Sequence, residues 1–552
     1  MHKGTGWFTI NGKPEFIFSG EIHYFRIPRD QWVDRLNKAK LAGLNTVASY
    51  IPWGLHEPEE GRFEFRGESH PELDVMEFIR LTQEHGLWFI PRIGPMSQGE
   101  MINEGLPEWL LRDYPEAFNR PRGGHVLHHQ GSPAYATKVF REKTRTWYDQ
   151  VLPLLVPLQH PQGNMPVFQL CNEIGCINWV GKKPDHSPEA EQMYREFMLQ
   201  RYGSLKAINS AYGMDLSAEI DLVQPGIDST REHFQRWLDW GDFYRHYYAD
   251  YYAYLAQIAR KHGVTTHLIA NIPQFYDFDV RGRGLYSPVT TLMFSEFGKK
   301  TQGVIFGGAY QMRRLDYENF HDILLTTEHV KSVSGDGLPA ICAELQTGVL
   351  SDKPKLYPSD VELNLKTSLS SGLNGINCYM FAGGVNFRGL GQFGPYHEWQ
   401  APVDSAGKLR PHYEPLRRFG RLIENFGSVI APLPKRCDLT LGFYGDHFKT
   451  AYLNGDLPDE LYGNRNKFYF DGLVRLLSMA GYSYNAIDLC EPVPDSITHL
   501  AVSSFCFMST QAQQHLLHFV RRGGHLLLAG ELLFEDSTLL QGLGIRACKV
   551  QS

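Results

Sequence analysis

The chain has 552 residues, enough to bury a large core and to hold two or three domains. Hydrophobic residues make up 42% and charged residues 21%, the usage of a folded globular protein, which excludes a disordered chain. The net charge of -7, with no cluster of Lys and Arg, offers no cationic field for a polyanion, so no nucleic-acid partner is expected.

The N-terminal stretch reads Trp7-Phe8-Thr9-Ile10, then Asn11-Gly12, then Phe16-Ile17-Phe18. Asn-Gly between apolar runs predicts a type I′ hairpin, because both turn positions need positive φ. From Phe16 onward short apolar runs alternate with longer segments whose apolar residues recur at three and four. Trp32, Val33, Leu36, Ala39 and Leu41 form one such segment, and Val75, Met76, Phe78, Ile79 and Leu81 another. Eight runs can be counted, at 16–19, 46–51, 87–93, 167–170, 267–270, 291–295, 340–343 and 375–381. Eight strands alternating with helices predict a (β/α)8 TIM barrel over residues 1–430.

Pro432 and Pro434 then mark a linker. Strands predicted at 438–443, 482–487, 500–505 and 525–529, with helices at 468–479 and 511–520, give a smaller doubly wound α/β domain over 437–552. Cys506 ends a strand there, but a nucleophile elbow needs small neighbours and Phe505 and Phe507 flank it. This domain is expected to be catalytically silent and to serve assembly into a homo-oligomer, a dimer or trimer. A further C-terminal module is expected beyond residue 552.

A barrel places its chemistry at the C-terminal ends of its strands. In order these ends offer Glu21 and His23, Tyr50 and Trp53, Arg92 and Glu100, Asn172 and Glu173, Asn271, Glu296, Glu344, and Tyr379. Glycoside hydrolysis with retention needs two carboxyl groups about 5 to 5.5 Å apart, one to donate a proton and one to attack. Strands four and seven lie across a barrel from one another. Here they end in Cys171-Asn172-Glu173 and Cys342-Ala343-Glu344. An Asn directly before the acid can hydrogen-bond a sugar hydroxyl beside the reacting carbon.

Several motifs carry a resemblance to glycoside hydrolase family 35, the family of many β-galactosidases, over roughly residues 7 to 430. They are Ser19-Gly20-Glu21-Ile22-His23-Tyr24-Phe25-Arg26-Ile27-Pro28, Ala42-Gly43-Leu44-Asn45-Thr46-Val47, Tyr50-Ile51-Pro52-Trp53, Gly105-Leu106-Pro107-Glu108-Trp109-Leu110, Asn172-Glu173-Ile174-Gly175 and Tyr379-Met380-Phe381. The resemblance implies a retaining, exo-acting β-glycosidase, with Glu173 as acid/base, Glu344 as nucleophile, and Tyr50, Glu100, Asn172 and Tyr379 as sugar contacts. The second domain is similar to the amidotransferase-like domain appended to related β-galactosidases.

The chain departs from the family's β-galactosidases where the sugar would lie. After strand three those enzymes read Arg-Pro-Gly-Pro-Tyr-Ile-Cys-Ala-Glu-Trp, whereas here Arg92-Ile93-Gly94-Pro95-Met96-Ser97-Gln98-Gly99-Glu100-Met101 keeps the glutamate and changes its neighbours. Gly54 replaces an expected Asn, and Gln346 and Val349 replace tryptophans. A β-galactosidase is the expected activity, with exo-β-glucosaminidase or β-glucan transglycosidase of the same family as alternatives, beside a non-catalytic sugar-binding protein.

Gly389-Leu390-Gly391-Gln392-Phe393-Gly394 spells G-x-G-x-x-G without a βαβ setting and reads as a loop. His125, His128 and His129 lie in a Gly-rich stretch with no carboxylate at ligand spacing. Eight cysteines without a CxxC pair suit neither a disulfide framework nor zinc. No metal or organic cofactor is expected. Residues 1–7 lack the apolar core of a secretory signal and no run approaches ~20 apolar residues, so a cytoplasmic protein without a membrane span is expected. Its expected partner is an oligosaccharide or glycoside substrate.

Overall fold

The structure, a computed structural model, describes residues 6–545 apart from 121, 123–131, 177, 179–182, 274–288, 311–314, 316, 318, 335–336, 349–354, 388, 451–452 and 531–537. The N-terminal hairpin pairs β1 (Phe8–Ile10) with β2 (Lys13–Glu15). Asn11 and Gly12 take φ of 52° and 76°, the positive pair that a type I′ turn requires.

Eight parallel strands follow among the described residues: β3 (Ile17–Ile22), β4 (Thr46–Tyr50), β5 (Trp88–Arg92), β6 (Val167–Gln169), β7 (His267–Pro273), β8 (Val304–Tyr310), β9 (Ile341–Gln346) and β10 (Gly375–Ala382). They pair in chain order, and β10 closes the barrel onto β3, with Gly375 to Cys378 registered against Ile17 to Gly20. A layer of Ile17, Ala48, Ile90, Val167, Ile269, Ile305 and Ile341 fills the barrel near its N-terminal end. Phe8 and Ile10 of the hairpin pack against this layer and plug that end. The chemistry is thereby confined to the opposite mouth.

The sixth strand departs from the sequence reading. Residues 291–295 belong to the helix Val289–Lys300, and the strand is β8, which begins at Val304. Helix and buried strand cannot be told apart in so short an apolar run. The true strand is masked by Gly307 and Gly308. A Cβ on Gly307 would stand 2.8 Å from the Ala343 Cβ and 3.2 Å from Ile269 Cγ2, so the interior there admits no side chain.

After two short strands in the loop beyond the barrel, β11 (Gly384–Val385) and β12 (Tyr396–His397), the helix Tyr413–Ile430 covers the barrel's outer face. Gly420 of that helix meets Gly43 backbone to backbone; a Cβ on Gly420 would lie 2.0 Å from the Ala42 carbonyl oxygen. The second unit is a four-stranded parallel sheet of β13 (Leu439–Phe443), β14 (Tyr484–Asp488), β15 (His499–Ser504) and β16 (His525–Gly530), in the order β14-β13-β15-β16. It is joined to the barrel by polar contacts, with His329 and the Tyr469 hydroxyl 2.8 Å apart, Lys435 pairing with Glu328 at 2.9 Å, and Lys449 pairing with Asp242 at 3.0 Å. Cys506 follows β15 in a left-handed turn, with φ of 56°. Its Sγ accepts a hydrogen bond from Asn464 at 3.2 Å. Among the described residues no helix is long and apolar enough to cross a membrane, and the seven described cysteines form no disulfide.

Replacing Gly420 by Ala forces two backbones apart and is expected to cost about 1–3 kcal/mol, the range for overpacked cores. A lowered Tm in a thermal melt would show this, and an unchanged Tm would refute the close contact.

Candidate active site

The mouth of the barrel gathers most of the strand-end residues that the sequence offered. Arg92, at the end of β5, is the hub. Its Nη1 pairs with Glu21 Oε2 at 2.9 Å and its Nη2 with Glu344 Oε1. The Nε donates to Gln169 Oε1 at 3.1 Å, and Nη2 also donates to Asn172 Oδ1 at 2.9 Å. The guanidinium stacks 3.9 Å from the centre of the Tyr50 ring. Arg92 is 1% exposed, so this charge is fully desolvated. Burial opposes its charge, but the negative charges around it prevail and hold the guanidinium protonated.

Glu344 ends β9. Its Oε1 accepts from the Tyr50 hydroxyl at 2.8 Å, from Asn271 Nδ2 at 3.0 Å, and from Arg92. All three donors fall on one oxygen, and Oε2 carries none of them. Burial raises the Glu344 pKa, and Arg92 and Tyr50 pull it back toward ionisation. Glu173, in the turn after β6, is 4% exposed and takes φ of 44°. Its backbone N–H donates to the Asn271 carbonyl at 3.0 Å, which fixes the turn to β7. Burial first, then the negative charge of Glu344, push its pKa well up, with a hydrogen bond from the Cys176 thiol and the Arg92 charge acting the other way. Two buried carboxyls thus sit close enough to feel each other, one rich in donors and one poor.

Asn172 is locked by its acceptor oxygen, which takes bonds from Arg92, from Gln169 at 3.0 Å and from Asn271 at 2.8 Å. Its Nδ2 reaches the Ser97 carbonyl at 3.4 Å. Glu100 lies on the loop after β5 and binds the Tyr379 hydroxyl at 2.8 Å and His397 Nε2 at 2.5 Å. Burial would raise its pKa; the His397 and Tyr379 hydrogen bonds and the Arg26 charge outweigh that and hold Glu100 below the usual range. His397 itself is pushed down to about 4 by burial and by Arg26, so at neutral pH its uncharged ring donates to Glu100.

Of the sequence-selected residues, Tyr50, Asn172, Glu173 and Glu344 therefore share one network with Arg92, Glu21 and Asn271, and Glu100 and Tyr379 form a second with His397; His23, 3.3 Å from Glu21 and with its ring 6.0 Å from that of Tyr379, stands between the two. Two strand-end candidates join neither. Trp53 packs into an aromatic cluster, stacked 6.2 Å from Trp147, and donates to Glu57 at 2.5 Å. Glu296 lies on the helix Val289–Lys300 and pairs with Lys299 at 2.9 Å, because the strand expected to deliver it is not a strand. His125, His128 and His129 lie outside the described residues.

The sequence reading missed Arg26, Asn377 and His397. Arg26 donates to the Gly99 carbonyl at 2.5 Å and to Asn386 at 2.7 Å, tying together the loops after β3, β5 and β10. Asn377 donates to Glu21 at 2.7 Å across the barrel seam. Arg26 stood inside a quoted motif, which is a signal that its role could have been sought; His397 sits in an irregular loop with no such mark. Gly54 now has a reason, since a Cβ there would meet the Leu106 carbonyl oxygen at 2.9 Å.

Residues 7–224 match the model of glycosyl hydrolases family 35, and residues 454–540 match that of a GLMA-like second domain. A β-1,2-glucosyltransferase of Ignavibacterium album is 32% identical over 549 residues, covering 96% of this chain and 75% of its own length. The chain belongs to glycosyl hydrolase family 35. An exo-β-D-glucosaminidase of Pyrococcus horikoshii is 26% identical over 559 residues, covering 96% of this family 35 chain and 69% of its own. The fold of the family 35 enzyme is that of the crystal structure of a β-galactosidase from the psychrophilic Marinomonas ef1, at TM-score 0.71 and 16% identity over 95% of this chain and 79% of that one.

Removing Arg92 strands two buried carboxyls without their cation, so Arg92→Met is expected to lose about 3–5 kcal/mol of stability. The loss is pH-dependent. Glu344, raised further above its unfolded value of about 4.3, adds no penalty below that pH and an increasing one above it. Urea melts at pH 5 and pH 8 should show the larger deficit at pH 8. A deficit that is equal or larger at pH 5 would contradict the assigned ion pair.

Proposed function

We propose that this family 35 enzyme is a retaining, exo-acting β-glycosidase in which Glu344 is the nucleophile and Glu173 the acid/base. The reading is carried by the opposite surroundings of the two buried carboxyls. Three donors on Glu344 Oε1 favour its ionised form and leave Oε2 for attack. Burial and the Glu344 charge keep the proton on Glu173. Carboxyl pairs whose environments separate their affinities for protons divide acid and base work in this way.

In the first step Glu344 Oε2 bonds to the anomeric carbon as the glycosidic C–O bond breaks, and the Glu173 proton passes to the leaving oxygen. In the second, the Glu173 carboxylate takes a proton from water or from an acceptor hydroxyl, whose oxygen displaces Glu344. Tyr50, Asn172, Glu100 and Tyr379 contact the sugar. Exo action fits the way Arg26 draws three loops together and closes one side of the pocket.

For the sugar, the family resemblance favours a β-galactoside. A second reading has specific support: the relatives matched over 96% of the chain are named for β-1,2-glucosyl transfer and for exo-β-D-glucosaminidase activity, and the neighbours of Glu100 differ from those of β-galactosidases. That reading is a gluco-configured donor passed to a sugar acceptor. A panel of p-nitrophenyl β-galactoside, glucoside, glucosaminide and fucoside, run with and without added sugar acceptor, separates the two. The transfer reading expects the glucoside to lead and transfer products to rise with acceptor concentration.

Glu344→Gln should abolish turnover on every glycoside. Glu173→Gln should lower kcat by about 10²–10⁴ on alkyl glycosides, which need a proton on the leaving oxygen, and far less on nitrophenyl glycosides. The same variant should lose the alkaline limb of the pH profile, because that limb reports deprotonation of Glu173. An unchanged profile in Glu173→Gln, or turnover surviving in Glu344→Gln, refutes the assignment.

A further inference from the structure

Besides Glu21, which is paired with Arg92, four carboxyl groups gather at this end of the barrel, and the mechanism above uses three. The fourth is Glu104, on the same loop as Glu100. Glu344 has Arg92, Tyr50 and Asn271; Glu100 has Tyr379 and His397; Glu173 has Cys176. The Glu104 carboxyl makes no hydrogen bond or ion pair with any described residue, although the residue is only 5% exposed and its oxygens are not sealed from solvent.

Its carboxyl lies near both Glu100 and Cys176. The charge of Glu100 acts on Glu104, and the charge of Glu104 acts on Cys176, the thiol that binds Glu173. The loop is built to hold it there. The Glu104 carbonyl takes the Ser97 and Gln98 N–H groups at 3.1 and 2.9 Å, and the Ser97 carbonyl meets Asn172. Gln98, Glu100, Asn103 and Glu104 all stand at φ between 52° and 56°, a left-handed conformation that side chains rarely adopt and that costs of order 1–3 kcal/mol each. Burial, and then the neighbouring Glu100 charge, push the Glu104 carboxyl up to about 8. At neutral pH it is therefore an uncharged O–H donor, unpartnered among the described residues, on the loop that carries Glu100 and whose Ser97 carbonyl meets Asn172.

We propose that Glu104 is a specificity-determining residue that donates a hydrogen bond from its carboxyl to a hydroxyl of the bound neutral sugar. This rests on reading the pocket as a sugar site. The titratable groups facing it are Glu100 from its own loop and Cys176 from the turn after β6, and both add negative charge or stay neutral. Ionisation of Glu104 removes the donor and sets a second carboxylate beside Glu100, which weakens binding of a neutral sugar. An ammonium-bearing sugar would do the reverse and bind more tightly as Glu104 ionises.

The test measures the Kd of a methyl 1-thio-β-D-glycoside, of the sugar cleaved fastest by the wild-type enzyme, by calorimetry from pH 6 to 9. Glu173→Gln serves as the parent so that the acid itself is silent. In that parent Kd should rise about tenfold per pH unit above pH 8. Adding Glu104→Gln, which keeps an N–H donor and cannot ionise, should flatten the curve. A flat parent curve overturns the proposal even if the second variant fails to fold. So does a rise that survives Glu104→Gln, or binding that tightens with pH. Failure of the glycosidase reading is seen separately, as absence of wild-type turnover on any aryl β-glycoside.

Discussion

A single buried guanidinium organises the mouth of this barrel. Arg92 lies between Glu21 on β3 and Glu344 on β9, with Tyr50 from β4 stacked against it and Asn172 from the turn after β6 bonded to it. A charge with 1% exposure is tolerable only when its neighbours replace the water it lost, and here five side chains do so. The consequence is rigidity. Glu344 is not free to rotate, because its Oε1 is pinned by groups from three separate strands.

The rest of the fold serves that constraint. The hairpin residues Phe8 and Ile10 and the isoleucine-rich layer above them make the barrel solid at one end, so polar groups can be buried only at the other. Asn377 bonding to Glu21 carries the network across the seam where β10 meets β3, so closing the barrel and assembling the site are one event. Outside, the contact of Gly43 with Gly420 shows the outer helix drawn against the barrel as closely as backbones allow.

Much of this was legible in the sequence. The Asn11-Gly12 turn, seven of the eight barrel strands and the four strands of the second sheet follow from apolar runs and turn residues. The sixth strand did not, because Gly307 and Gly308 break the apolar run, the first of them where the interior has no room for a side chain. The carboxyl pair was legible because both glutamates lie at the C-terminal end of an apolar run, Glu344 within β9 and Glu173 in the turn after β6. Tyr50 and Tyr379 were legible for the same reason. Arg26, His397 and Glu104 were not readable as pocket groups. They stand on short segments outside the barrel strands, whose path depends on left-handed residues and distant hydrogen bonds, neither of which leaves a period in the chain.

The loop of residues 94–106 is braced from within by the Ser97 and Gln98 N–H groups on the Glu104 carbonyl and tied outward to Arg26, Asn172 and His397, while Glu344 lies on β9 and Glu173 in the turn after β6. On the proposed roles, bond breaking and the choice of sugar then draw on different segments of the chain. A relative could inherit the first intact while exchanging the second as one short cassette, which is how a single barrel can diversify its diet without rebuilding its engine.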